Sequence, residues 1–258
     1  MSEYEKASRG SYYLFISQIV AIIGGIIVLV VFSAYVLASF TGLAKYANIT
    51  ESISSGFNFT SSSTQSVLAH LPVSMMSNMM NALLVLIVAG TVVGFVELLL
   101  MIYGWKNLSE FNSSEYHTPY IGSIMSFIGF LLVAPPGAFM IYSVKGALIY
   151  LETSQSVPPQ ILAEALVSAI PMFVGTLVIF AGYIMVLIGF WRLGSQFNST
   201  IIKTSIILLI ISIVLSIFST VLPLLPEVLD IVSVILLTVG LYSVSKKAKT
   251  KQEAAQNS

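Results

Sequence analysis

The sequence predicts an all-α polytopic membrane protein with about six transmembrane helices, arranged as three tandem hairpins. Three observations lead there. Only 9% of the 258 residues are charged and 57% are hydrophobic, whereas a soluble domain carries about 25% charged residues to cover its surface. Six uncharged stretches, at 10–44, 71–96, 118–144, 165–191, 204–226 and 231–245, divide the chain. Basic residues, finally, gather in alternate connecting segments. The first five stretches exceed the roughly 20 residues that a helix needs to cross the hydrocarbon. The sixth is extended past Asp230 by Val228 and Leu229. Backbone groups in lipid must be satisfied within the segment, which requires helix. A β-barrel would need alternating apolar and polar residues, and these runs do not alternate.

Helical spans are expected at about 12–40, 72–104, 119–146, 165–191, 202–223 and 227–245, followed by a basic tail at 246–258. Lys6 and Arg9 precede the first. Its uncharged run far exceeds the roughly 7–15 residues of a cleavable signal segment, so it is expected to be retained. Nine basic residues (Lys6, Arg9, Lys106, Arg192, Lys203 and four lysines of the tail) fall on one side of this arrangement, and only Lys45 and Lys145 on the other. The positive-inside rule then puts both termini in the cytoplasm. Zero net charge gives no field that would attract nucleic acid. The absence of cysteine excludes disulfides, thiolate metal sites and thiol nucleophiles.

The first outer loop, roughly 41–67, is rich in Ser, Thr, Gly and Asn and carries the sequons at Asn48 and Asn58. Only an outer location would let these accept glycans. Further sequons at Asn107, Asn112 and Asn198 fall on the inner side. A stiff turn is expected at Val157-Pro158-Pro159, a tight one at Pro223-Leu224-Leu225-Pro226, and a kink where Pro135-Pro136 interrupts the third span.

Residues 105–114, Trp-Lys-Asn-Leu-Ser-Glu-Phe-Asn-Ser-Ser, recur at 191–200 as Trp-Arg-Leu-Gly-Ser-Gln-Phe-Asn-Ser-Thr. Each copy follows a span. Trp105 and Trp191 are expected as interfacial anchors with a basic residue at the headgroups, and Asn-Ser as the cap of the next helix. Repeats of this kind sometimes bracket a transport site.

Glu97 is the carboxylate deepest inside a span, eight residues before Trp105 and so about 12 Å from the membrane boundary. A charge there costs about 2.5–3.5 kcal/mol on insertion scales, so a neutral or hydrogen-bonded acid is expected. Gln18 on the first span is expected at a similar depth and is the proposed partner of Glu97. Tyr183 takes the place of Glu97 in the second copy. A proton or cation relay is one reading; a helix-packing hydrogen bond, worth about 0.6 kcal/mol in a membrane bundle, is the other. Gly90 and Gly94 form a small-xxx-small pair suited to close helix packing. Met75, Met76, Met79 and Met80 with His70 could hold Cu(I), but they serve equally as interface filler, and no metal or cofactor is expected. Glu227 and Asp230 complement the dipole of the sixth helix, and the basic tail is expected against anionic lipid.

The motifs of soluble enzymes (P-loop, G-x-G-x-x-G, H-E-x-x-H and G-x-S-x-G) are absent. His70 and His117 are expected on opposite faces. No catalytic residue is identified and no enzyme is expected.

Ile188-Gly189-Phe190-Trp191-Arg192-Leu193, and Tyr120-Ile121-Gly122 opening a Gly-spaced run to Phe130, resemble a family of uncharacterised multi-pass membrane proteins from thermoacidophilic archaea. The resemblance covers most of spans two to six. It implies an archaeal plasma membrane. The expectation is a membrane scaffold or complex subunit, with transport of a small solute or ion through Glu97 as the alternative. The partners that suit it are the lipid bilayer, other membrane proteins or a second copy of the chain.

Overall fold

Apolar runs this long bury their backbone polarity by closing hydrogen bonds within themselves, and the computed structural model of the chain does so with six α-helices among the described residues. These are α1 (Glu3–Tyr46), α2 (Val73–Phe111), α3 (Ser113–Ser154), α4 (Pro159–Gln196), α5 (Thr200–Ser216) and α6 (Leu225–Gln256). The structure describes residues 3–46, 73–154, 158–216 and 224–256, and no strand occurs among them. The expected loop sequons at Asn48 and Asn58, His70, Val157 and Pro223 lie outside the described residues, as do the side chains of Met75 and Met76. Five helices are long and apolar enough to cross a membrane, and α5 contributes a shorter apolar segment of 17 residues. The chain is a polytopic all-α membrane protein.

Several helices outrun the spans read from the uncharged stretches. Glu3 and Glu5 occupy the first turn of α1, where carboxylates complement the helix dipole, and Arg9 pairs with Glu5 at 2.8 Å one turn on. α3 continues through Pro135-Pro136 without a break in its helical assignment. The basic segment after Ser245 is no separate tail. α6 runs on through it, because Val244 and Ala248 are fully buried in the core of the bundle.

The contacts divide the chain into two units. Unit 1 takes Met1–Ile23, Val93–Leu131 and Val174–Ser258. Its core draws on all six helices, with Ala7 and Leu14 from α1, Met101, Trp105 and Leu108 from α2, and Tyr116 from α3. Val186, Phe190 and Leu193 of α4 with Phe197 just past its end, and Leu237, Leu241, Val244 and Ala248 of α6, repeat the same offsets of four, seven and eleven residues. That spacing is the seam of left-handed helix packing, in which apolar residues recur every 3.5 positions.

Small residues set how closely the helices of unit 1 approach. A Cβ on Gly104 would fall 2.7 Å from Leu14 Cγ and 3.0 Å from the Gly10 carbonyl, which puts α1 against α2. On α3 and α4, a Cβ on Gly129 would lie 2.6 Å from the Gly175 carbonyl, and one on Gly182 would lie 2.5 Å from the Gly122 carbonyl. Gly175, Gly182 and Gly189 are each seven residues apart, so they form one line facing Gly129, Gly122 and Pro119. α5 and α6 meet where a Cβ on Gly240 would press on Ile202 at 2.5 Å, and where the Ser212 hydroxyl donates to the Pro226 carbonyl at 2.8 Å. Lipid tails are as apolar as leucine, so packing of this kind, rather than escape from water, holds helices together. In each pair the start of one helix meets the end of the next, as three hairpins require.

Unit 2, Gly24–Val92 with Leu132–Phe173, packs more loosely. A Cβ on Gly137 would meet Met172 at 3.7 Å and one on Gly146 would meet Ile161 at 4.0 Å, both ordinary van der Waals distances. Lys145 docks its ammonium on the Asn81 side-chain carbonyl at 2.6 Å, joining α3 to α2 through a polar contact.

Candidate functional site

On α2 the core-facing positions run through Met101, Trp105 and Leu108. Glu97 lies four residues before Met101 and so continues that stripe toward the helices it packs against. Trp105 stacks on Phe190 of α4 at 5.1 Å, so the stripe faces α4. Tyr183 lies on α4 eight residues before Trp191, and its hydroxyl is within electrostatic reach of both Glu97 and Asp230. Three polar groups from α2, α4 and α6 therefore share one neighbourhood of unit 1.

Gln18 is not joined to Glu97. It is buried on α1, and among the described residues neither side chain has a hydrogen-bond partner. The expected pairing gives way because the α2 stripe that carries Glu97 is turned to α4. The sequence marks Asp230 only as a helix-dipole acid; its electrostatic influence on Tyr183 is not legible there.

The two tryptophans separate sharply. Trp105 is fully buried (0% exposed), between Tyr116 and Phe190, and its indole Nε1 has no partner. The expected interfacial anchor is thus a core residue, because the Phe190 and Tyr116 rings and the bare backbone at Gly189 leave a slot that the indole fills. Trp191 is 44% exposed, with the Lys203 ammonium 5.8 Å from its ring, an arrangement that suits a boundary between apolar and wet surroundings.

Gly90 and Gly94 also part company. A Cβ on Gly94 would meet the Phe130 ring at 3.0 Å, whereas one on Gly90 would meet nothing within 4 Å among the described residues. The close approach expected of the pair is made by Gly94, while the tight seams run through other glycines.

The matching segments come together at one end of unit 1. Phe111 and Phe197, equivalent residues of the two copies, have ring centroids 6.4 Å apart. Arg192 donates to the Glu115 carbonyl at 2.9 Å and faces its carboxylate at 3.5 Å. The Tyr116 hydroxyl donates to the Gln196 side-chain carbonyl. An open cleft of about 430 Å³ is lined by Asn112, Glu115, Arg192, Ser195 and Gln196. The sequence reading singled out the copies but not their meeting, since nothing in a linear repeat specifies that its copies touch.

Capping differs between the copies. In the second, Asn198 has φ 47°, Ser199 N–H bonds back to the Gly194 carbonyl at 2.8 Å and Asn198 N–H to Ser195 at 3.3 Å. This is a Schellman ending, with asparagine in the left-handed position. In the first, the Asn112 carbonyl accepts from Tyr116 N–H at 3.0 Å and so opens α3, as the sequence led us to expect.

A family model described as "Protein of unknown function (DUF973)" matches residues 1–258, the whole chain. The chain belongs to the DUF973 family. No curated protein and no solved structure matches it. For this DUF973 protein the site must therefore be judged on its own chemistry. Among the described residues, no cation stands beside Glu97, Tyr183 or Asp230. The grouping offers acid and phenol oxygens within apolar helices, suited to hold a proton or to bond helices together.

Proposed function

We propose that this DUF973 protein is a scaffold or complex subunit of an archaeal plasma membrane, without catalytic activity, and with both termini in the cytoplasm. The observation that supports this reading is how unit 1 spends most of its buried hydroxyls, Ser205 and Ser212 apart. Ser11 donates to Ala7, Ser17 to Leu14, Ser126 to Gly122 and Thr238 to Val234, each within its own helix at 2.7–3.0 Å. A conduction path lines itself with donors and acceptors turned toward the permeant species. Hydroxyls closed on their own backbone suit a static bundle whose outer faces meet lipid and neighbouring proteins. On α4 those faces carry Leu177 and Phe180, 54% and 59% exposed.

A second reading, transport of a proton or small cation, draws support from the shared neighbourhood of Glu97, Tyr183 and Asp230, since carboxyl groups inside membrane spans mark relays. Electrogenic current from proteoliposomes under proton and monovalent-cation gradients decides between the two. The scaffold reading expects silence from wild type and from Glu97→Gln. A wild-type current abolished by Glu97→Gln would replace it with the relay. Orientation is tested separately in intact cells: the chain has no cysteine, so Lys249→Cys gives a single thiol, expected to resist an impermeant maleimide added outside.

A further inference from the structure

Toward the C-terminal end of α6, an open crevice of about 440 Å³ lies between that helix and the first turn of α5. Its composition changes along its length. Ile201 and Val239 form an apolar wall, Tyr242 follows, and Ser243, Lys246, Lys247 and Thr250 close the far end. From Val239 to Thr250 is eleven residues, about 16 Å of helix, and the lining positions recur every three or four residues on one face. A greasy floor leading to two ammoniums and a hydroxyl is the profile of an amphiphile with an anionic head.

The ammoniums are placed for this. Lys246 Nζ lies 5.8 Å from the centroid of the Tyr242 ring, which sits where the apolar run of α6 ends. Lys247 Nζ donates to the Phe197 carbonyl in the last turn of the α4 ending at 3.3 Å, which fixes it without cancelling its charge. Among the described residues neither lysine is paired with a carboxylate, whereas Lys6, Arg9 and Arg192 each are. Ser243 is partly buried and uses its hydroxyl in no hydrogen bond among the described residues. Two uncompensated positive charges beside a free hydroxyl, at the edge of an apolar helix, are complementary to a phosphate.

We propose that this crevice binds one anionic phospholipid, its phosphate between Lys246, Lys247 and Ser243 and a chain along Ile201 and Val239. The site is specific where a lysine-rich surface would be diffuse. It works in either functional reading, because it depends on the boundary at which α6 leaves the membrane and not on Glu97.

The test is native mass spectrometry of the full chain in a neutral detergent, titrated with phosphatidylglycerol, with phosphatidylcholine, and with inorganic phosphate alone. One phosphatidylglycerol is expected to stay bound in preference to phosphatidylcholine. Lys246→Gln with Lys247→Gln is expected to weaken it by about 30-fold, two lysines each contributing about fivefold through the attraction at a membrane surface. Lys106→Gln with Lys249→Gln removes the same charge from exposed lysines outside the crevice and is expected to leave binding unchanged. Val239→Trp, which fills the apolar wall while keeping every charge, is expected to displace the lipid. Circular dichroism shows that each variant is folded. Equal weakening by the two lysine pairs would overturn the site in favour of diffuse attraction. Unchanged lipid binding by Val239→Trp, or full occupancy by inorganic phosphate in competition with the lipid, would overturn the lipid assignment.

Discussion

Gly182→Ala is the substitution on which the packing argument is most exposed. The added Cβ would lie 2.5 Å from the Gly122 carbonyl, 2.6 Å from Ser126 Oγ and 2.8 Å from Ser126 N. Two of those atoms are backbone, and the Ser126 hydroxyl is tied to Gly122 at 3.0 Å, so no flexible side-chain end can swing away. To regain the 3.4 Å at which ordinary contact begins, α3 and α4 must part by about 0.9 Å. Overpacking of this kind costs about 1–3 kcal/mol, and a rigid backbone contact argues for the upper half. Alanine is otherwise the better helix former by about 1 kcal/mol. Gly90→Ala, with nothing within 4 Å among the described residues, therefore supplies the matched control, neutral or slightly stabilising. Reversible unfolding of both variants in mixed micelles, titrated with dodecyl sulfate and followed by circular dichroism, measures the difference. Equal stabilities for Gly182→Ala and Gly90→Ala would refute the close α3–α4 seam.

Six further substitutions, at five positions, test separate contacts by the same unfolding measurement. Asn198→Gly is expected to be neutral or stabilising and Asn198→Val destabilising by about 1–2 kcal/mol, since φ 47° suits glycine and strains a β-branched residue. Trp105→Ala is expected to cost about 3–5 kcal/mol by emptying a fully buried slot, against less than about 1 kcal/mol for the half-exposed Trp191→Ala. Ser205→Ala should be neutral or stabilising, because its buried hydroxyl has no partner to lose. Glu115→Gln should cost under about 1 kcal/mol: the ion pair is exposed, and Arg192 keeps its bond to the residue 115 carbonyl.

The helices were legible in the sequence because bilayer crossing leaves a signature that depends on no partner: a long run without charge. Their ends were less so. α2 continues to Phe111 and α6 to Gln256, past the points where charge resumes, since helix outside the hydrocarbon depends on neighbours that a single sequence does not display. The basic residues after Ser245 show how. Read alone they are a tail, yet Ser245 and Ser8 exchange hydroxyl-to-carbonyl bonds at 3.1 and 3.2 Å, and Ala248 is fully buried, so the segment is held by α1. The glycine seams were legible in principle: Gly175, Gly182 and Gly189 recur at seven residues, a longer period than the four-residue spacing that drew attention to Gly90 and Gly94.

The two matching segments carry the same lesson into the site. Trp, a basic residue, Phe and Asn recur in register, and residue type alone gives both copies one role. Their surroundings divide them. Where the second copy has Gly189 just before its tryptophan, bare backbone admits the Trp105 ring, so the first indole is buried against the second segment while the second stays outside. Arg192 then reaches Glu115, while Lys106, its counterpart, remains exposed. An interface between two segments identical at five of ten positions thus becomes asymmetric through one small residue and one long cation. It follows that Gly189→Leu should disturb the first copy more than its own. The expected sign is a change in the near-ultraviolet dichroism of buried Trp105, with the Trp191 signal, isolated in a Trp105→Phe background, left in place. A change confined to Trp191 would show that the segments do not depend on each other in this way.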